Sequence, residues 1–360
     1  MIRIHFALIV YVRGGDLIAA MKGDGTKMLR GTPANLARSS DLRGFQYLAI
    51  NLLFECNYKC QKCFNREENG TQGLPKPISL GIIRRVIEDA KSLGGKVVVI
   101  AGLGEPTLNK DIRQIVRHIN GNGMIPIVYS NGSTLTTEMM EFYRAQDVTL
   151  VISVDSLRAH VYEALTNTHG MLPKVMENIG YARRLFSDSV ESAGSTKIVR
   201  LAIVTTITSL NETEVEEIKK FCGGDIYFIS NPLAREGNAI ANWDMLVSDE
   251  EGRSRHANLA RRLSESGGPL TFGKRNICEY SGSGLAIGPS GHYMTCAYTP
   301  KTDGLLGNVN DTSLADAFGF KNRIEMEFYE KYGPRPCLVR DPHFPEYIRN
   351  LAANKAAESG

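Results

Sequence analysis

An excess of charge of one sign is missing from this 360-residue chain. Its 42 basic side chains stand against 39 acidic ones, so composition gives no reason to expect a nucleic acid or another polyanion as partner. Long apolar runs are missing too, and no segment approaches the roughly 20 residues of a membrane-spanning helix. The first residues, "MIRIHFALIVYVRGGD", superficially resemble a signal peptide. Their apolar run from Phe6 to Val12 stops at Arg13 and no cleavage site follows, so a strand turning at Gly14-Gly15 is expected there. Sequence repeats and low-complexity tracts are absent. Cysteine is scarce: seven residues, an odd number, grouped in motifs. That usage suits metal binding in a reduced cytoplasm better than a disulfide framework. What is left is a chain long enough for one large domain and a smaller one.

From residue 47 to about 230, short β-rich runs alternate with amphipathic helical stretches. The runs are "YLAINLLF" (47–54), "KVVVIA" (96–101), "IPIVYS" (125–130), "VTLVISV" (148–154), "IVRLAIVTTI" (198–207) and "DIYFIS" (225–230). Apolar on consecutive residues, they read as strands covered on both faces, as in parallel sheets. Helical patterns lie between them at Leu80–Leu93, Lys110–Ile119, Thr136–Arg144, Leu172–Leu185 and Glu212–Phe221. The expected fold is α/β, a partial (β/α)6 TIM-like barrel with right-handed crossovers. Further on, Ser248–Ser266 reads as a helix and "SGGPL" (266–270) as a linker. "GLAIGPSGHYMTC" (284–296) reads as a hairpin turning at Pro289-Ser290-Gly291, and about Ser313 to Lys331 as a helix. The expected divisions are an N-terminal extension with a hairpin (1–45), the barrel (46–247), a linker helix (248–275), a small α+β domain (276–350) and a frayed tail (351–360).

Active sites of such barrels sit at the C-terminal ends of the strands, and the unusual residues fall there. "CNYKCQKCF" follows the first strand, "GLGEP" (102–106) the second and "SNGS" (130–133) the third; Ser153 and Asp155 end the fourth, and "NPLAREGNA" (231–239) follows the sixth. Cys56, Cys60 and Cys63 can hold three irons of a 4Fe-4S cluster, leaving the fourth open to a small chelating molecule. A zinc site completed by a distant ligand is the competing reading, since zinc wants four ligands.

These residues resemble the radical S-adenosylmethionine (SAM) enzymes over about residues 45–240. The resemblance implies that the open iron binds the methionyl amine and carboxylate of SAM, and that reductive cleavage gives a 5′-deoxyadenosyl radical. Gly104, Glu105 and Pro106 match the family's Gly-Gly-Glu-Pro loop, where backbone and acid receive the SAM amine. Leu103 replaces one glycine, so its backbone must avoid positive φ. Ser130 and Asn131 resemble the third-strand Thr-Asn-Gly, and Ser153 and Asp155 the polar residues that reach the ribose and carboxylate. Lys62 departs from the family's aromatic before the third cysteine; Phe64 or Tyr58 then covers the adenine.

A second group, Cys278, Cys296 and Cys337, surrounds the hairpin, with "GNV" (307–309) following. It resembles the twitch and SPASM extensions that carry an auxiliary iron–sulfur cluster, expected to be a second 4Fe-4S centre. Three residues after Cys337 stands Arg340 rather than a cysteine, so the fourth ligand is Asp341, His343, substrate or none. Three unrelated buried cysteines are the plainer alternative. Cys222, ending the fifth helix, is expected in the core at the far end of the barrel. His169 and His292 are candidate proton acceptors, but surface or core histidines are commoner. Arg235 and Glu236 form a structural ion pair or meet substrate. "GNGM" (121–124) is a turn, lacking the P-loop lysine.

The expected protein is a cytoplasmic enzyme that abstracts hydrogen from a small polar metabolite: a sugar, an aminocyclitol or a nucleoside. An external donor such as flavodoxin or ferredoxin supplies the electron, and neither nucleic acid nor membrane is a partner. The auxiliary cluster accepts an electron, anchors substrate or donates sulfur. Peptide maturation, epimerisation and a non-catalytic zinc scaffold are the alternatives.

Overall fold

The computed structural model describes residues 27–36, 44–65, 75–187, 191–193, 196–263, 282–297, 305–333, 337–338, 341 and 343–359. The turn expected at Gly14-Gly15, the linker at 266–270 and Cys278 lie outside them.

In chain order the elements begin with β1 (Lys27–Leu29), α1 (Pro33–Leu36), β2 (Tyr47–Asn51), α2 (Leu80–Ser92), β3 (Val97–Ala101) and α3 (Ile112–Gly121). They continue with β4 (Ile125–Ser130), α4 (Thr137–Ala145), β5 (Thr149–Ser153), α5 (Ala159–Thr166) and α6 (Leu172–Phe186). Next come β6 (Glu191–Ala193), β7 (Thr196–Val199), β8 (Leu201–Ile207), α7 (Val215–Cys222) and β9 (Tyr227–Pro232). The last are α8 (Asn238–Ala241), α9 (Trp243–Val247), α10 (Glu250–Leu263), β10 (Gly284–Ile287), β11 (Tyr293–Met294), α11 (Leu314–Tyr332) and α12 (Phe344–Ser359).

Several of the helices start where capping side chains stand. Ser79 accepts the Ile82 N–H ahead of α2, Thr136 accepts Met139 ahead of α4, and Ser313 accepts Asp316 ahead of α11. Each then buries one apolar stripe; in α3 it is Ile112, Ile115, Val116 and Ile119.

The main sheet has the order β11-β10-β2-β3-β4-β5-β8-β9, parallel from β10 to β9. One face packs on the helices through residues such as Leu48, Ile100, Val128, Ile152, Ile203 and Phe228. The other face, the inside of the partial barrel, carries Val99, Ile127, Val151, Val204 and Ile229. Leu29 and Leu36 pack at the lower end of that inner cluster, and β1 pairs in parallel with β7.

Four expectations need correcting. The run 198–207 is broken at Arg200, so its first part pairs with β1 below the barrel and only β8 joins the main sheet. The crossover after β5 contains two helices, α5 and α6. The tail is helical rather than frayed, since α12 runs through Phe344–Ser359 with Phe344 and Ile348 buried. Finally, the hairpin is not set apart from the barrel. β10 pairs with β2 from Gly284↔Tyr47 to Ile287↔Ile50, giving the open edge of the barrel sheet a partner. Its turn is as expected: the Gly291 N–H meets Gly288 O at 2.9 Å, with Gly291 at φ +85°.

Candidate active site

The cysteine loop leaves the C-terminal end of β2. Cys56, Cys60 and Cys63 are all half-buried. The Cys56 sulfur accepts the Tyr58 N–H and the Cys63 sulfur accepts the Asn65 N–H, each at 3.4 Å. Hydrogen bonds of this kind favour thiolate over thiol and are a standard means of tuning iron–sulfur ligands. Burial pushes the Cys60 thiol up to about 12, against the pull of the Lys62 ammonium. Among the described residues no three His, Cys, Asp or Glu side chains gather to hold a single metal ion.

The second loop is seated on the first. A Cβ on Gly104 would stand 2.1 Å from Glu55 O, so only glycine allows this approach. The Glu105 N–H donates to the same oxygen at 2.9 Å, and Asn65 Nδ2 donates to Leu103 O at 2.8 Å. Leu103 keeps a negative φ, as expected. Pro106 opens a short 3-10 turn that Glu105 caps.

Glu105 is nearly inaccessible. Its Oε1 accepts Thr107 N–H (3.2 Å), Thr107 Oγ1 (2.6 Å) and Ser130 Oγ (2.9 Å), while Oε2 accepts the Asn131 N–H (2.8 Å). Burial raises its pKa, and these donors oppose the rise. The third strand's residues are thereby tied to the second loop. They are also tied to the first, because Asn131 Nδ2 donates to Asn57 Oδ1 and Asn57 Nδ2 to Ser133 Oγ, both at 2.8 Å.

Ser153 is half-buried at the end of β5, whereas Asp155 is buried. Its Oδ1 accepts the Thr206 N–H at 2.8 Å and its Oδ2 lies 2.9 Å from Lys62 Nζ. Lys62 also reaches Thr206 Oγ1 at 3.3 Å. Burial works against the ammonium, but Asp155 and the Cys60 and Cys63 thiolates raise its pKa above the ordinary value. Tyr58 is buried in the helix-side core with its hydroxyl 3.3 Å from that of Tyr162, whereas Phe64 is half-buried.

Sequence reasoning missed a clamp on the cysteine loop. The segment after β9 folds over it. A Cβ on Gly237 (φ +56°) would lie 2.3 Å from the Phe64 carbonyl. Asn238 Nδ2 donates to Cys60 O, the Ala239 N–H to Cys63 O and Asn242 Nδ2 to Gln61 O, at 3.3–3.4 Å. On the other side the Gln61 N–H meets Leu165 O, at the end of α5, at 2.9 Å. The signal was present as a glycine followed by two asparagines, Asn238 and Asn242, after the sixth barrel strand.

Arg235 stacks on Trp243 at 5.2 Å, and Glu236 is half-buried, its pKa raised by burial and opposed by Arg349; the two do not pair with each other. His169 and His292 are exposed. Cys222 is fully buried, its carbonyl held by Arg183 at 2.8 Å, as expected of a core residue.

Of the second thiol group, Cys296 and Cys337 are half-buried, following β11 and α11. "GNV" lies along the hairpin: the Tyr293 N–H donates to Gly307 O and the Val309 N–H to Gly291 O. Asp341 Oδ1 accepts the His343 N–H at 2.8 Å just before α12, and the His343 ring stacks on Tyr332.

Residues 50–222 match the model of the Radical SAM superfamily. A GTP 3′,8-cyclase from Marinobacter nauticus is 28% identical over 239 residues, covering 64% of this chain and 68% of that protein. A probable GTP 3′,8-cyclase from Pyrococcus abyssi is 31% identical over 176 residues, but the match spans only 52% of its length. Among solved structures, Streptococcus suis SuiB bound to S-adenosylmethionine superposes with a TM-score of 0.53 at 17% identity, over 78% of this chain and 68% of that one. Native anSMEcpe with bound AdoMet gives 0.55 at 15%, over 88% and 100%. At such identities the structures speak to the fold alone.

Proposed function

Because this chain belongs to the radical SAM superfamily of enzymes, we propose that it uses SAM to abstract hydrogen from a nucleoside or nucleotide. In this reading Cys56, Cys60 and Cys63 hold a 4Fe-4S cluster. The observation that carries it is the cysteine loop itself: the Cys56 and Cys63 thiols receive backbone N–H groups, and the loop is braced by "GLGEP" on one side and Gly237–Asn242 on the other. When bound, cluster and SAM together supply the reductive cleavage that starts hydrogen abstraction.

The chain's own residues position the reactants. A carboxylate offers about four acceptor sites, two on each oxygen; three donors crowd onto Glu105 Oε1, while Oε2 accepts only the Asn131 N–H, leaving Oε2 a position for the SAM ammonium. Gly104 and Pro106 shape the backbone beside it. Ser130 and Asn131 keep Glu105 in place, and Ser153 at the mouth of β5 meets the ribose. Asp155, already paired with Lys62, is poorly suited to meet an anionic methionyl carboxylate. That role passes to the Lys62 ammonium.

Among the small polar metabolites that the sequence suggests, the nucleoside class draws support from the two cyclase relatives, named for GTP. Cys278, Cys296 and Cys337 are proposed to carry an auxiliary iron–sulfur cluster that anchors substrate or exchanges an electron with it. A flavodoxin or ferredoxin is the proposed electron source. The test is anaerobic turnover of the reconstituted protein with SAM and a reductant, following 5′-deoxyadenosine. Guanine nucleotides and nucleosides should raise its formation several-fold. A rise only with sugars, aminocyclitols or peptides would overturn the substrate class.

A further inference from the structure

Lys62 stands where related loops place an aromatic ring, and the structure gives it a defined setting. Its ammonium is 2.9 Å from Asp155 Oδ2 and 3.3 Å from Thr206 Oγ1, in a place only 12% exposed. Asp155 is more deeply buried and is fixed by the Thr206 N–H. The pair therefore has one rigid end on the strands β5 and β8 and one end on the cysteine loop, between Cys60 and Cys63.

Aliphatic packing would have anchored the loop without the cost of burying two charges. A buried pair here has an electrostatic consequence that packing lacks. The cation belongs to the cysteine loop itself, two residues after Cys60 and directly before Cys63. The anion sits behind it. At low local dielectric such a dipole acts strongly on any charge at the thiolates. Net charge and donors near the sulfurs are among the factors that set iron–sulfur potentials.

We infer that the Lys62–Asp155 pair is a positioning and tuning device for the cluster at Cys56, Cys60 and Cys63: Lys62 stabilises the reduced, more negative state, and Asp155 both orients Lys62 and moderates its field. This rests on the cluster assignment proposed above. It differs from a purely mechanical latch in one respect: neutralising the two partners should move the potential in opposite directions.

The measurement is the midpoint potential of the reconstituted cluster without SAM, by anaerobic redox titration followed by EPR. Lys62→Gln should lower the potential and Asp155→Asn should raise it, while Lys62→Arg should stay close to the parent protein. Should Lys62→Gln fail to hold iron, the double variant Lys62→Gln/Asp155→Asn carries the test, since it keeps a neutral hydrogen-bonded pair of similar shape. Its potential should lie below that of Asp155→Asn alone. Equal potentials in these proteins, or shifts of the same sign for both single variants, overturn the inference and leave the pair a latch. A parent protein that assembles no cluster at all overturns the cluster assignment itself, and the inference with it.

Discussion

Glu105 was expected from the sequence as a ligand for SAM, and in the folded chain it is first a scaffold residue. Its carboxylate gathers donors from the second loop and from the end of β4. A Gln there presents an amide NH2 to groups that are themselves donors, and unmade buried hydrogen bonds cost roughly 1–3 kcal/mol each. Glu105→Gln should therefore lower the melting temperature as well as weaken SAM binding by about one to two powers of ten, an interaction with a charged group being worth ~1.5–3 kcal/mol. Differential scanning fluorimetry and SAM titration of the reconstituted protein measure the two effects. A variant with unchanged melting but weakened binding would assign Glu105 to SAM alone.

Segments, rather than single side chains, hold the cysteine loop in register. Gly237 adopts a backbone conformation that disfavours side chains, at a general cost of about 1–3 kcal/mol, and an added methyl would also meet the Phe64 carbonyl. Gly237→Ala should lift the clamp, so that a chelator strips iron from the reconstituted protein several-fold faster than from the parent. Equal rates of release would mean that the clamp is not needed to retain iron. A different contact pins α10: His256 Nε2 lies 3.0 Å from Glu212 Oε2, with the imidazole buried. Burial holds its pKa below the usual 6.5, outweighing the opposing pull of Glu212. The unfolded chain therefore takes up the proton first as pH falls. This contribution to stability is complete above about pH 6.5 and is lost as the pH drops through the folded value. Melting temperatures of the parent should fall between pH 7 and pH 5.5, and His256→Gln should flatten that part of the profile. An identical slope in both proteins would remove His256 as its cause.

At the scale of the whole molecule, the hairpin β10–β11 is continuous with the barrel sheet, so Cys296, just after β11, stands on an extension of the sheet that carries the first thiol group. Replacing Cys278, Cys296 and Cys337 together by Ala should lower bound iron from about eight to about four per chain, the content of one 4Fe-4S cluster. SAM cleavage without substrate should survive, because Cys56, Cys60 and Cys63 stand on a separate loop, the one that follows β2. Circular dichroism must accompany the iron assay, since β10 shares its hydrogen bonds with β2. A folded triple variant that keeps all its iron would make these thiols ordinary core residues.

Much of this was legible in the residues alone. The six apolar runs locate the barrel strands to within a few residues, because a strand covered on both faces needs apolar side chains on both. The spacing of Cys56, Cys60 and Cys63 and the glycine of "GLGEP" mark the candidate site, since local chemistry of this kind must be written in adjacent residues. Helix α12 escaped notice because its apolar stripe is weak, and the break at Arg200 because the apolar pattern runs on either side of it. The partner of each buried surface was decided only by tertiary structure. Periodicity says that a face is covered, never by what. Thus Lys62 finds Thr206 across 144 positions, Gly237 comes down on Phe64, and β10 closes the edge of β2. These contacts join segments remote in sequence, and packing of the whole chain is what brings them together.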